Sequence, residues 1–405
     1  MYDVVVVGAG ASGLITAIVS ARRGKKVLIL EKNNKIGKKL LATGNGKCNI
    51  TNQRPTLEHY YSNNPNFIKE FFEGYSYQSI KQFFKSIGLE VIEAKEGKVF
   101  PMSLQASSVV ELLVAECAQL DIKIVCELEV QQIKKIKNFY EITHNKGIEK
   151  TEALVVATGN ISAPQLGGVD SGISFAKRLG HNIIKPFPTL VQLTSPMKRL
   201  ERMAGVKIES RVTLKTKDGK NIQKQGDVLF TSYGISGLAI LDISRFVMVE
   251  LLKKKNIMLT IDLMPKMSQD QLLALMRKSL VKKSSKPLTI WLQGFINKKL
   301  ILPILEPLKL QDETVGSLFS NIKNLESIVS KIKSFEFEVN GSRGYKGAEV
   351  ATGGVDTKEI NPKTMESKRH KGLYFTGEVL DVDGDRGGFN LHFAWVCGLR
   401  AGGNI

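Results

Sequence analysis

Cysteine is scarce: four residues, at positions 48, 117, 126 and 397, are spread over the chain with no Cys-x-x-Cys pair among them. That argues against a disulfide framework or a zinc cluster and leads us to expect a reducing compartment, the cytoplasm, and no bound metal. No apolar run approaches the ~18 residues of a membrane span. Nor does a basic segment with a cleavage site open the chain, so neither membrane insertion nor export is expected. Internal repeats and low-complexity linkers are missing as well. Acidic residues are in deficit, 39 Asp+Glu against 58 Lys+Arg, which leaves a net charge of +19. Such an excess carries no information about fold but points to polyanionic partners. What is present in ordinary measure is apolar content, 42% of 405 residues. This excludes wholesale disorder and is enough for more than one domain.

The opening segment has the clearest signal. Tyr2–Val7 is a β-branched run that reads as a buried parallel strand. It leads into Gly8-Ala9-Gly10-Ala11-Ser12-Gly13, then a helical stretch from Leu14 to Arg23, Gly24 as its stop, and a second strand over Lys26–Leu30 that ends in Glu31. This is the dinucleotide-binding βαβ pattern in its required context. Gly8 allows the tight turn, Gly10 lets the backbone approach a pyrophosphate, and Gly13 lets helix and strand pack closely. The helix start offers free N–H groups to the phosphates. Glu31 is placed to accept hydrogen bonds from ribose hydroxyls; it suits FAD or NAD and would repel the 2′-phosphate of NADP. A further strand over Ala153–Ala157 runs into Thr158-Gly159. Near the end, Gly372-Leu373-Tyr374-Phe375-Thr376-Gly377-Glu378 reads as a strand running into a glycine and an acid.

Three longer motifs carry a resemblance. They are Gly37–Asn52 (GKKLLATGNGKCNITN), Ala348–Val355 (AEVATGGV), and Gly377–Gly384 (GEVLDVDG) followed by Gly387-Gly388-Phe389-Asn390. In this order they resemble a bacterial family of FAD-dependent oxidoreductases. Its members have been assigned as a bile-acid enone reductase, an aminoacetone oxidase and a ribosomal-RNA dihydrouridine synthase. The resemblance covers nearly the whole chain. It implies an α/β fold: a two-dinucleotide-type Rossmann FAD-binding domain with an inserted antiparallel β-barrel and a small helical module. Carried over by position, it puts the FAD phosphates on Gly8, Gly10, Ala11, Ser12 and Gly13, and the adenosine end on Glu31, Lys32 and the backbone of Val130. Along the ribityl chain and isoalloxazine it implies Lys38 or Lys39, Thr43, Gly44, Asn49, Gly377, Glu378, Asp383, Gly388, Phe389 and Asn390, and Leu40, Ala157, Thr158 and Gly159 are expected to contact the cofactor as well. The chain departs from the family at Asn45 and Lys47, where glycine and arginine are common, and at His392, where glutamine is usual.

Between about Pro188 and Phe335 the βαβ rhythm stops. Short alternating runs such as Val206–Leu214 and Asp227–Phe230, separated by turns at Asp218-Gly219 and Tyr233-Gly234, predict a small antiparallel barrel or sandwich. Leu272, Leu273, Leu275 and Met276, then Ile290–Leu292 and Leu300–Leu305, show helical spacing. The expected division is therefore 1–188 and 336–405 for the cofactor domain, 189–262 for the barrel and 263–335 for the helices. Residues 189–335 hold 25 Lys+Arg and 12 Asp+Glu, so +13 of the +19 lies there. Such an insert reads either as a solvated lysine-rich face or as an electrostatic platform for RNA, ribosomal RNA in view of the resemblance, with anionic membranes or acidic protein partners as the remaining readings. Aromatic residues are sparse in it, and no stacking groove is legible.

With only one Gly-x-Gly-x-x-Gly, no resident nicotinamide domain is expected, and NAD(P)H would dock transiently as electron donor. The reaction expected is reduction of an activated C=C bond, with uridine in 23S rRNA as first choice. A small-molecule enone reductase or amine oxidase is the alternative, and a non-catalytic FAD-bound RNA-binding factor the third reading. Candidates for the proton-donating acid are Cys48, in a loop expected near the isoalloxazine with Lys47 beside it, and His392 on the final helix. For Cys48 the competing reading is a packing residue. Glu349 and Asn340 are alternative polar contacts, Asp383 and Asp385 suit turn or phosphate-side roles, and Cys117, Cys126 and Cys397 read as core.

Overall fold

A computed structural model describes residues 1–405 as two compact units. One comprises Met1–Phe187 with Glu349–Ile405, the other Pro188–Ala348. The first is built on a seven-stranded sheet. Val27–Leu30, Lys123–Val125 and Gly147–Val156 continue in parallel from Tyr2–Val7, and Leu373–Phe375 joins beyond Gly147–Val156, also in parallel. Val4, Val5 and Val6 have no exposure at all, as expected of strands covered on both faces. The first half of Gly147–Val156 pairs antiparallel with Phe139–His144, which pairs with Val130–Ile136.

Two helices lie against each other, Ala11–Arg22 and the last one, Phe389–Asn404. Their closeness depends on small residues. A Cβ on Gly398 would sit 2.8 Å from Ser12 O, and one on Gly402 would sit 2.7 Å from Thr16 O. The C-terminal segment is thus pressed against the helix that begins at the glycine turn.

The second unit departs from expectation. Its seven strands, among them Lys207–Lys215, Asn221–Thr231 and Ile257–Asp262, form an antiparallel sheet of open order with Phe335–Val339 at one end and Gly341–Ser342 at the other. It is not a closed barrel: the two end strands follow one another in the chain but do not pair. Within the stretch expected to be all strand, Leu238–Leu251 is a helix that buries Ala239, Ile240, Ile243 and Val247. That spacing follows a helical face, and the period-2 reading of its neighbours masked it. Helices Gln269–Lys278, Lys298–Leu305 and Ile322–Lys333 share one hydrophobic core with the sheet, through Leu272, Ile304, Ile328, Leu259 and Phe337. No helix of the chain is long and apolar enough to cross a membrane, and no group of three or more His, Cys, Asp or Glu is arranged to hold a metal ion.

Candidate functional site

The opening turn is shaped by what its glycines lack. Gly8 has φ +110°, and a Cβ there would lie 2.5 Å from Ala157 O, so only glycine fits. A Cβ on Gly13 would meet Gly8 O at 2.1 Å. Gly10 differs: a Cβ there would meet nothing within 4 Å. Its missing side chain leaves free space at the start of helix Ala11–Arg22. The first helical bond runs from Leu14 N–H to Gly10 O, so the N–H groups of Ala11, Ser12 and Gly13 have no helical acceptor. No acid occupies the first turn, and no side chain caps it. An anionic phosphate fits these donors and the positive end of the helix.

Glu31 ends the second strand and is 7% exposed. One carboxylate oxygen accepts from Ala9 N–H at 2.7 Å; the other accepts from the Asn33 backbone N–H at 2.8 Å and from Asn33 Nδ2 at 2.7 Å. Three donors hold this acceptor rigidly beside the turn, as binding of a ribose diol requires. Glu31 N–H also donates to Val125 O, and Leu128 N–H to Glu31 O. This brings the segment leading to Val130 alongside. Lys32 instead points outward, paired with Glu129 at 2.7 Å with both side chains about half exposed.

A second set of residues converges from distant parts of the chain. Lys39 Nζ donates to Ser162 Oγ and to Glu378 Oε2, both at 2.7 Å. Ser12 Oγ donates to Thr376 O at 3.2 Å, and Gly377 permits that approach, since a Cβ on it would meet Ser12 Oγ at 2.6 Å. Ala157 N–H donates to Val7 O, which places Thr158 and Gly159 directly beyond the strand ends. Leu40 is buried, and its carbonyl accepts from Thr43 Oγ1. From Gly44 to Gly46 every φ is positive, 58°, 55° and 81°, and Asn49 Oδ1 then accepts from Val99 N–H. Asp383 is buried in the pairing of Asp383–Gly384 with Tyr60–Tyr61. Asn390 closes the following loop, accepting from Gly384 N–H at 2.7 Å and donating to Gly384 O at 2.8 Å. Gly388 passes so close to Thr51 that a Cβ would meet its carbonyl oxygen at 2.4 Å.

The two candidate acids sit in surroundings that do not suit the role. Cys48 has no exposure, and burial pushes its thiol up to about 12, a Thr43 hydrogen bond offsetting this in part. It packs in the hydrophobic core of the first unit. His392 is equally buried; desolvation lowers its pKa to about 3, so its ring is neutral. Its Nδ1 lies 2.7 Å from Thr51 Oγ1, its ring stacks with Phe72, and its Nε2 has no partner. A neutral imidazole lacks the imidazolium proton that a general acid gives up readily, and keeps a single, weakly acidic N–H. Asn340 belongs to the second unit, where it accepts from Thr194 Oγ1. Glu349 is exposed, and its carbonyl accepts from Ser162 Oγ.

One group escaped the sequence reading. His59 Nδ1 lies 3.2 Å from Asp385 Oδ2, Tyr61 OH donates to Asp385 Oδ1 at 3.0 Å, and the His59 ring stacks on Phe389 at 4.0 Å. The His59 side chain as a whole stays 36% exposed. No motif spacing links residue 59 to residue 385; only the pairing of Tyr60–Tyr61 with Asp383–Gly384 brings them together.

A parallel sheet, a glycine turn open at Gly10 and a rigid carboxylate at the end of the second strand define a dinucleotide-binding protein of Rossmann type. More narrowly, the chain belongs to the family described as HI0933-like protein Rossmann domain, whose model matches residues 2–404. It is 36% identical over 398 residues to the ribosomal RNA dihydrouridine synthase of Haemophilus influenzae, covering 96% of this chain and 95% of that one. It is 32% identical over 404 residues to the 3-dehydro-bile acid delta(4,6)-reductase of Clostridium scindens, covering 99% and 98%. In fold it is similar to 3-ketosteroid-delta4-(5alpha)-dehydrogenase of Rhodococcus jostii, with a TM-score of 0.51, 14% identity, and coverage of 99% of this chain and 96% of that one.

Proposed function

We propose that this protein is an FAD-dependent oxidoreductase of the cytoplasm that reduces an activated carbon–carbon double bond, with uridine in 23S rRNA as its substrate and NAD(P)H as its transient electron donor. The observation that carries this reading is the end-to-end likeness at 36% identity to a ribosomal RNA dihydrouridine synthase. The excess charge of the second unit supports it, since a polyanionic substrate is drawn to such a surface.

The residues present fit FAD. Ala11, Ser12 and Gly13 offer unpaired N–H groups to its diphosphate, and Glu31 offers a fixed acceptor to its ribose. Lys39, Glu378, Asp383 and the Gly384–Asn390 loop come from the segments that would line its flavin end. Bound flavin supplies hydride chemistry that side chains lack. The chain contributes position and exclusion of water. The buried strand ends and the capped loop hold donors without reorganisation, and base chemistry needs the uridine unstacked before it can enter. A dihydrouridine map of rRNA from a strain lacking the gene tests the reading: one position should revert to uridine, and an unchanged map rules the substrate out.

The likeness to the Clostridium scindens reductase supports a second reading, reduction of a small-molecule enone. Anaerobic reoxidation of the reduced yellow protein separates the two, because the true acceptor accelerates it. An amine oxidase would instead release hydrogen peroxide with an amine and need no nicotinamide.

A further inference from the structure

The positive charge of the second unit is not uniform once ion pairs are taken into account. On and around its sheet some cations are matched, while Arg211, Lys215, Lys217, Lys224, Lys254 and Lys255 form no ion pair. Lys207 pairs with Asp227, Lys253 with Glu250, Lys266 with Glu209, and Lys333 with Asp262. Residues 271–305 are different, with seven Lys or Arg and no Asp or Glu. All seven are exposed, and none forms an ion pair. Five of them, Arg277, Lys278, Lys282, Lys283 and Lys286, fall within ten residues.

This segment is held in a definite place. Gly316 N–H donates to Ser284 O at 3.0 Å, Val315 N–H to Lys286 O at 3.0 Å, and Leu288 N–H to Glu313 O at 2.9 Å. A Cβ on Gly316 would lie 2.8 Å from Ser284 O, so glycine is what lets the lysine loop touch helix Val315–Ser320. The nearest acids do not neutralise it: Asp312 accepts from Gln311, and Glu313 makes no ion pair. Phe319 stands one turn after Gly316, on the same helix face, and is 49% exposed. A cluster of unpaired cations whose backbone is anchored to the helix that carries an exposed aromatic ring is the combination that holds a single strand, through phosphate neutralisation and base stacking.

We infer that the Arg277–Lys286 segment and Phe319 form a landing surface for single-stranded RNA, the lysines on phosphates and the ring under a base. This rests on the RNA reading above and deepens it, assigning recognition to the helical part of the second unit and not to its sheet.

The test is fluorescence anisotropy of the full-length protein with a labelled oligouridylate of about 12 nucleotides, a length suited to one stacking groove, titrated between about 50 and 200 mM salt. The triple variant Lys282→Ser, Lys283→Ser, Lys286→Ser should lower the log–log salt slope by about 2, at about 0.7 for each phosphate of a single strand that is no longer neutralised. Phe319→Ala should weaken binding by about tenfold and leave the slope unchanged. A control triple on exposed lysines of the first unit, Lys134→Ser, Lys137→Ser, Lys146→Ser, should do neither, and melting temperatures should show all variants folded. Equal losses in the two triples, or none in the first, overturn the surface while leaving the RNA substrate standing. A wild-type protein that binds no oligouridylate overturns this surface and the RNA reading together, whereas the dihydrouridine map judges that reading independently. Lysine-dependent binding to phosphatidylglycerol vesicles with RNA binding unaffected would reassign the surface to membranes and overturn the proposal.

Discussion

His59 and Asp385, 326 residues apart, meet at 3.2 Å, and the same carboxylate receives the Tyr61 hydroxyl at 3.0 Å. The two contacts fasten the Tyr60–Tyr61 strand to the start of the Gly384–Asn390 loop, whose far end is closed by Asn390. Asp385→Asn keeps the shape and removes the charge, and should cost about 1 kcal/mol, the scale of one partly exposed charged hydrogen bond. Urea titration checks the stability. If the loop lies on the flavin, the visible absorption bands of the yellow protein should also shift; unchanged stability together with an unchanged spectrum would mark the pair as incidental.

Gly10 and Gly13 should respond in opposite ways to the same substitution. Gly13→Ala drives a methyl into Gly8 O and should destabilise the fold by about 1–3 kcal/mol, the scale of overpacking. Gly10→Ala adds a methyl in open space, so the cofactor-free protein should melt as wild type does. The methyl occupies the room a diphosphate needs, and FAD affinity should fall by about tenfold or more, about 1.4 kcal/mol per decade. Isothermal titration of the stripped protein with FAD measures it; an unaffected affinity would move the phosphate elsewhere.

Acid should destabilise the protein through His392. Its folded pKa, about 3, lies below the ordinary 6.5, so the unfolded chain takes up a proton that the folded one refuses. Stability from this group is complete above about pH 6.5 and declines as pH falls toward 3, with about 2 kcal/mol lost by about pH 5 at 1.4 kcal/mol per unit. In His392→Gln the decline between pH 7 and 5, followed by denaturant titration, should be shallower by that amount. Equal slopes would mean that the imidazole is solvated.

Thiol reagents should find little to attack. Cys48, Cys117 and Cys397 are fully buried, and burial raises each thiol pKa; only Cys126 is partly exposed. Since the thiolate is the reactive form, native protein at neutral pH should titrate slowly and with a single thiol, and unfolded protein with all four. Rapid native labelling of Cys48 would restore it as a chemical group.

The Tyr2–Val7 strand, the glycine turn, the second strand and Glu31 were legible from the residues because each rests on local rules: β-branched runs, glycine where a Cβ collides, an acid at a fixed distance. The Leu238–Leu251 helix was not, since its apolar residues read equally well as continued strands until packing selects one face. The barrel expectation failed for a related reason. Alternation reports which face of a strand is buried and says nothing of whether the last strand pairs with the first. Cys48 and His392 were chosen by residue type and motif position, yet burial decides whether a thiol or imidazole carries or yields a proton, and burial is a property of the assembled core.

By itself, then, the amino-acid order determined that a dinucleotide cradle opens this chain, because that cradle is made of near neighbours, and that its excess positive charge lies mostly in the inserted stretch. Only the tertiary structure decided that Lys39 meets Glu378, that His59 meets Asp385, and which lysines stay unpaired. Such pairings depend on strand register and helix docking across hundreds of residues, and no local spacing encodes them.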